Sequence, residues 1–340
     1  LKEDGTVKAQ VLHKHDLIEN KPLQFENYPD PVLNENEILI KVKACGVCHS
    51  NLHVVEGDWR WLGIPAKLPI IPGHEMVGIV EEVGKRTTGF DVGQMAGIQS
   101  LYDTCGKCEY CLTGREHLCM TQQVAGETVD GGFAELIKVP YQHAYPAPDN
   151  MKVEEAAPLY CPGVTAYRAI RRSGVRFGQK IAIFGIGGVG HLSVQFAKMA
   201  GAEVIAVDTG DAQLAMARDL GADHTARPEQ LDNLLSKIGR PEVVAIHVPS
   251  QKAIDQAYRI VKRGGTILQC VFGTPLINFS EEPTIITSLI GTRNEMNEVI
   301  QLAIKGKITV ISKACNLSEA NDALLKVKKG EVVGRLALVP

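Results

Sequence analysis

Four of the nine cysteines stand close together, at Cys105, Cys108, Cys111 and Cys119. Spacings this short let one loop wrap an ion. Four thiolates close a tetrahedral Zn²⁺ site and leave no position open for chemistry. Thiolates alone would also suit an iron–sulfur cluster, but spacing and context favour zinc. The cysteine total is odd and no secretion signal is evident, which points to metal binding rather than disulfides.

A second group begins with Cys45-Gly46-Val47-Cys48-His49. This run matches the short pattern for covalent haem attachment and contains a C-x-x-C redox pair. Haem attachment needs export and an axial ligand, and the export signal is missing. A redox pair opens a helix in a thioredoxin-like unit, whereas this one follows a strand. A third arrangement draws on distant residues. Cys48, His74 in Gly73-His74-Glu75, and Cys161 in Pro158-Leu159-Tyr160-Cys161-Pro162-Gly163 would make a Cys₂His set. That is the ligand set of a catalytic zinc whose fourth position stays open. Such an ion lowers the pKa of an alcohol so that hydride can leave. Taken singly, Cys161 also reads as a core cysteine and His74 as a turn histidine.

Gly185-Ile186-Gly187-Gly188-Val189-Gly190 follows a strand and opens a helix. Gly185 permits the tight turn, Gly187 lets backbone approach a pyrophosphate, and Gly190 allows close helix–strand packing. Alone the pattern is weak. Asp208 completes it, because it ends the next strand where an acid grips the ribose 2′-hydroxyl. Read singly, Asp208 is a helix N-cap. Thr209-Gly210-Asp211 offers no cation for a 2′-phosphate, which favours NAD over NADP.

These residues need elements to position them. Residues 1–149 are rich in short apolar runs broken by Gly and Pro. Glu37 to Lys43 alternates with period two, and Met76 to Val80 is a compact apolar run, so both read as strands of a mostly β domain. Residues 150–291 change texture. Strands at 181–184, 204–207, 243–246 and 266–268 alternate with helices, one through Gln195 to Ala200 that stops at Gly201 and one over 211–220. This implies a parallel sheet with helices on both faces. Residues 292–340 read as a helix before Gly306, an apolar strand and a helix after Ser318. That tail is too short to fold alone and is expected to complete the first domain. The predicted class is therefore α/β, in two domains.

The bulk numbers agree. The chain has 340 residues, 45% hydrophobic and 22% charged, with a formal net charge of -3. The length suits two domains. The charge argues against a nucleic-acid or anionic-membrane partner. No apolar run reaches the length of a membrane span. The polar start, Leu1 to Thr6, has no signal-peptide core, so the expected compartment is the cytoplasm.

Together these residues resemble the zinc-containing alcohol dehydrogenases of the medium-chain dehydrogenase superfamily, over essentially the whole length. The resemblance rests on Cys48-His49-Ser50, Gly73-His74-Glu75, the four-cysteine lobe, Cys161 through Tyr167, Gly185 to Gly190, and Gly334-Arg335. It implies a GroES-like β catalytic domain joined to a Rossmann-type coenzyme domain. It implies two zinc ions per chain, with Cys48, His74 and Cys161 as catalytic ligands and Glu75 as an acid able to approach the metal. Ser50 and His53 match a proton relay, a task suited to a hydroxyl and an imidazole. His49 and Arg335 match pyrophosphate contacts, Thr165 a residue beside the nicotinamide, and Gly188 and Val189 part of the dinucleotide loop. Trp59 matches a substrate-pocket wall, though ordinary packing explains it equally. Polyol-type relatives usually lack a cysteine at the position of Cys161, so the alcohol and cinnamyl-alcohol branches are favoured. The compact length resembles the tetrameric microbial and archaeal enzymes, which implies a homotetramer. The expected reaction is hydride transfer between a primary or secondary alcohol and NAD, giving aldehyde or ketone. The alternatives are a reductase of aromatic or bulky aldehydes and a non-catalytic dinucleotide-binding member of the fold.

Three single positions and one short segment depart from the family pattern. Asn51 stands where aspartate usually orients the zinc-bound histidine. An amide oxygen can still accept that hydrogen bond, but a negative charge is gone, which predicts a lower pKa for an alcohol on the metal. Gln213 stands where many relatives place a lysine near the adenosine ribose. Ser100 stands where small-alcohol enzymes carry a bulky aromatic, which predicts a roomier pocket. Val271-Phe272-Gly273 also differs near the nicotinamide carboxamide, and nothing in the sequence explains its effect.

Overall fold

The computed structural model describes residues 5–340, so the first four residues of the polar start lie outside it. The chain forms two compact units. One runs through Cys161 and takes in Thr292–Pro340, and the other is Pro162–Gly291.

The first unit is built on a seven-stranded sheet. Its central strand, Glu37–Gly46, pairs antiparallel with Met76–Val83, Leu136–Pro140 and Arg335–Val339. The predicted alternation of Glu37 to Lys43 holds only in part. Ile38, Leu39 and Ile40 are all buried, and the pairing with Met76–Val83 shifts register at Leu39/Ile40. An irregularity there breaks the period of two. The tail differs as well. The apolar run at 308–311 is not a strand; Ile308 and Val310 are buried in the connection, and the strand begins at Ser312. That strand, Ser312–Asn316, pairs parallel with Arg335–Val339, which brings Arg335 into the central sheet.

The second unit holds six parallel strands. In spatial order they are His224–Ala226, Glu203–Val207, Lys180–Phe184, Val243–Ile246, Thr266–Gln269 and Thr284–Thr287. In order of appearance this is 3-2-1-4-5-6, the doubly wound arrangement that binds dinucleotides at the carboxyl ends of its strands. Sequence reading named neither edge strand: His224–Ala226 has three residues, and Thr284–Thr287, unlike the equally short but buried Val243–Ile246, is largely exposed and carries no apolar run. Among the described residues no helix is long and apolar enough to cross a membrane.

Candidate active site and metal centres

The Glu37–Gly46 strand ends where chemistry begins. Cys45 closes it, fully buried in the hydrophobic core, and burial pushes its thiol far above the usual range. An inert, buried thiol cannot serve a redox pair. Cys48 lies three residues on as the N-cap of helix His49–Glu56 and turns toward another cysteine. Its Sγ is 3.9 Å from that of Cys161. The haem and redox alternatives therefore lose their second cysteine.

Cys161 is held from behind. Leu159 and Tyr160 are fully buried, and the Tyr160 ring fills the space that a side chain at Gly97 would need. His74 and Glu75 lead into strand Met76–Val83, after Gly73 turns the chain at φ 99°. The side chains of Cys48, His74, Glu75 and Cys161 offer ligand atoms within 4.8 Å of one another. His74 and Glu75 are buried, at 2% and 0% exposure. Two thiols, an imidazole and a carboxylate buried together favour a cation. A hydrogen bond from Cys161 pulls the Cys48 thiol well below its ordinary range and pushes Cys161 above it. Burial alone would lower His74, but hydrogen bonding and charge from Cys48 raise it to about 9. The donor set fits zinc with an open position.

Glu75 is already engaged. Arg335, 7% exposed, reaches it with Nε at 3.2 Å from Oε2, and its second nitrogen bonds Oε1. Glu75 Oε1 is 4.0 Å from His74 Nε2. Its approach to a metal would require loosening this ion pair. The structure thus gives Arg335 a partner that sequence reading did not name, in addition to the pyrophosphate contact the resemblance implies.

Asn51 also differs from expectation. Its amide oxygen is occupied, since the Cys48 N–H donates to Oδ1 at 2.9 Å. Its Nδ2 therefore faces His74 Nδ1, at 3.3 Å. A carboxylate could accept both bonds, whereas an amide accepts one and donates the other. The prediction that Asn51 would accept from His74 is corrected by this cap.

The relay residues separate into two contacts. Ser50 Oγ lies 3.3 Å from His74 Nε2. His53 Nδ1 lies 2.7 Å from Asp58 Oδ2, and its ring stacks on Trp59 at 4.8 Å. His49 lies 5.0 Å from His53, and burial together with His53 lowers its pKa. Trp59 packs against the core of this unit, and Ser100 is buried. Asp58 was not identified from sequence.

The four-cysteine lobe is a local structure. Cys105, Cys108, Cys111 and Cys119 offer thiols within 4.8 Å of one another. The Cys108 N–H donates to Cys105 Sγ at 3.3 Å, and Gly106 takes a φ of 66° so that the loop can wrap. Backbone donors favour thiolates: they hold Cys105 below its ordinary range, and Cys119, which burial alone would raise, falls to about 6.

In the second unit the glycine loop joins strand Lys180–Phe184 to helix Gly190–Met199. Gly185 has φ 88°, and a side chain at Gly190 would collide with the Gly185 carbonyl. Gly187 faces open space. Gly188 and Val189 complete the turn, with Val189 as the N-cap. Asp208 Oδ2 accepts the Ile186 N–H at 2.6 Å, and its Oδ1 accepts that of Gly210 at 2.9 Å. Asp208 is thus fixed against the loop it serves. Gln213 folds over Gly210. Thr165 lies on helix Pro162–Ser173. Val271-Phe272-Gly273 leaves its strand as a loop pinned by the Gln269 amide, which donates to the carbonyls of Val271 and Gly273. One cation escaped the sequence reading: Arg227 pairs with Asp211 at 2.8 Å.

Comparison with known proteins gives a consistent pattern. Residues 34–149 match the family model for the alcohol dehydrogenase GroES-like domain, and residues 188–305 match that for zinc-binding dehydrogenase. The chain is 41% identical to an alcohol dehydrogenase of Geobacillus stearothermophilus, covering 98% of this chain and 99% of that one. It is similar in structure to the alcohol dehydrogenase of the archaeon Aeropyrum pernix, with a TM-score of 0.90 and 33% identity, covering 98% and 100% of the two chains. A cobalt- and zinc-bound thermostable alcohol dehydrogenase from Pyrobaculum aerophilum gives a TM-score of 0.89 at 27% identity, with the same coverage.

Proposed function

The chain belongs to the zinc-containing alcohol dehydrogenases of the medium-chain superfamily, and we propose that it moves hydride between a primary or secondary alcohol and NAD. The carrying observation is the convergence of Cys48, His74 and Cys161, from three distant segments, on one buried point beside Glu75. We assign these three as the ligands of a catalytic zinc. A zinc ion held there would supply Lewis-acid chemistry that makes an alcohol proton easier to lose. The protein's own residues do the rest. Ser50, against His74, would accept the hydroxyl proton as it gives up its own toward solvent, and His53, at the edge marked by Asp58, would be the acceptor there. Arg335 restrains Glu75, so that a carboxylate does not crowd the open position. We assign Cys105, Cys108, Cys111 and Cys119 to a closed zinc that holds its lobe together.

Asp208 supports NAD. Two backbone N–H bonds hold its carboxylate in place, where it would repel a 2′-phosphate and accept from a ribose hydroxyl. Arg227 is the nearby cation that could favour NADP, but its pairing with Asp211 supports the same reading. Ser100, a small side chain in a buried position, supports larger alcohols. A homotetramer is the proposed assembly. The strand Thr284–Thr287 ends its sheet, and Leu276, Phe279 and Leu289 beside it are 88%, 86% and 61% exposed. Light scattering measures that mass directly.

The central test is an alcohol panel with NAD and with NADP on protein of known metal content. Two zinc ions per chain and a kcat/KM at least about tenfold higher with NAD are expected, tenfold being 1.4 kcal/mol of discrimination. Turnover by zinc-free protein would overturn the assignment, and a preference for NADP would overturn the cofactor.

A further inference from the structure

Asp211 and Arg227 form an ion pair beside the dinucleotide loop. Asp208 and Arg227 leave neighbouring strands side by side: Val207 pairs with Ala226, and the Asp208 N–H donates to the Ala226 carbonyl at 3.3 Å. Asp208 then turns back on its own chain, and its Oδ1 accepts the Gly210 N–H at 2.9 Å. Gly210 caps helix Asp211–Asp219, so Asp211 follows directly on the turn that Asp208 holds. One oxygen of Asp211, Oδ1, meets Arg227 twice, at 3.1 Å from Nε and 2.8 Å from Nη2.

That edge of a guanidinium is one that a phosphate grips through two parallel bonds. Here a carboxylate lies along it. The side chains of Arg227 and Asp211 are 35% and 82% exposed, so the pair contributes little to folding. Glu229 is a second carboxylate whose charge Arg227 feels, but Asp211 is the stronger influence. What the pair does set is the charge next to Asp208, where the NAD reading places the adenosine ribose. The helix end also favours an anion, and Asp211 occupies it.

We propose that Asp211 is a positioning residue for coenzyme choice: it holds Arg227 along its phosphate-binding edge and so masks a site for the 2′-phosphate of a nucleotide. The proposal rests on the NAD reading of the same loop and deepens it. Asp208 accepts from the ribose hydroxyl, and Asp211 withholds the neighbouring cation from a phosphate in its place.

The test measures dissociation constants for NAD, NADP, 5′-AMP and 2′-AMP by titration calorimetry. The proteins are native, Asp211→Asn, Arg227→Gln and the double variant. Both side chains reach solvent, so all should melt at nearly the same temperature. Native protein is expected to bind NAD more tightly than NADP. Asp211→Asn should raise the affinity for NADP relative to NAD by about fivefold, the size of one exposed charge contact. The affinity for 2′-AMP relative to 5′-AMP should rise by a similar factor. Adding Arg227→Gln to Asp211→Asn should remove both gains, because they come through the arginine. High salt should shrink them, since the contact is exposed. A merely structural role for the pair would weaken all the ligands together and leave both ratios at their native values. Unchanged ratios in Asp211→Asn overturn the proposal. So does a gain that persists in full in the double variant, since it would then come from the lost negative charge alone. If native protein prefers NADP, the NAD reading itself fails and takes this one with it.

Discussion

The two metal constellations of this chain are made in opposite ways. The thiolate lobe draws its ligands from one short loop, and Cys105, Cys108 and Cys111 remain partly exposed. The open site brings together Cys48 and Cys161, 113 residues apart, with a fully buried Glu75 beside them. A closed site saturates its ion, so water does not compete and burial is unnecessary. An open site must exclude water and fix its ligands before substrate arrives, and only a packed sheet supplies that rigidity. In this chain the first kind of site is built from turns and the second from a core.

The largest expected effects separate the two directly. Cys48→Ser should lose one zinc per chain and lower kcat/KM by about a thousandfold or more, since a Lewis acid supplies several kcal/mol. Serine still caps helix His49–Glu56, so the melting temperature should change by only a few degrees. Cys119→Ser should do the reverse. Loss of the lobe zinc should lower the melting temperature by ~5 °C or more. Turnover per catalytic zinc in the protein that remains folded should stay within roughly threefold of native, less than 0.7 kcal/mol. Metal analysis, calorimetry and steady-state kinetics on both variants make the comparison. If Cys119→Ser abolished catalysis at full stability, the division of labour would be wrong.

The same contrast explains what was legible in the sequence. The lobe announced itself because its ligands are near neighbours, and Gly185 to Gly190 did so because one turn carries all its requirements. Cys161 and His74 gave no such local signal. Each alone reads as a core cysteine or a turn histidine, and only their common pattern with Cys48 tied them together. The parallel sheet was legible from its buried apolar strands, whereas His224–Ala226 has only three residues and Thr284–Thr287 is largely exposed, so neither carries such a run. The tail run at 308–311 looked like a strand because it is apolar, but burial in a connection makes the same pattern. Asp58 was invisible: an acid in a loop acquires meaning only from what packs against it. Asn51 was noticed, but its hydrogen bonds were assigned wrongly, because the competing Cys48 N–H is visible only once the helix is capped.

That competition sharpens the comparison. A zinc ion held through His74 Nε2, the nitrogen turned away from Asn51, would need a neutral imidazole with its proton on Nδ1. Nδ1 faces the Asn51 amide nitrogen, so two donors would meet. Asn51→Asp would let one oxygen keep the Cys48 cap while the other accepts from His74. Partners of this kind are worth about tenfold to a hundredfold in metal affinity. Asn51→Asp should therefore tighten the catalytic zinc by at least about tenfold, measured by chelator competition, while the lobe zinc keeps its affinity. Weaker or unchanged binding would show that Asn51 costs the site nothing.

The smallest effects belong to the rim. His53 is held by Asp58 at 2.7 Å, and the two side chains are 25% and 51% exposed. A proton acceptor at the surface can be replaced by a solute, unlike one in the core. His53→Ala should lower kcat/KM by about tenfold at neutral pH, below the usual span for a general base because water shares the task. Imidazole in the buffer should restore most of that loss. Asp58→Asn removes only the group that orients the ring, so a fall of about twofold to threefold is expected. Zinc content should remain two per chain in both. If imidazole fails to rescue His53→Ala while zinc is retained, His53 is not passing a proton. The relay would then end at Ser50, inside the buried site rather than at its edge.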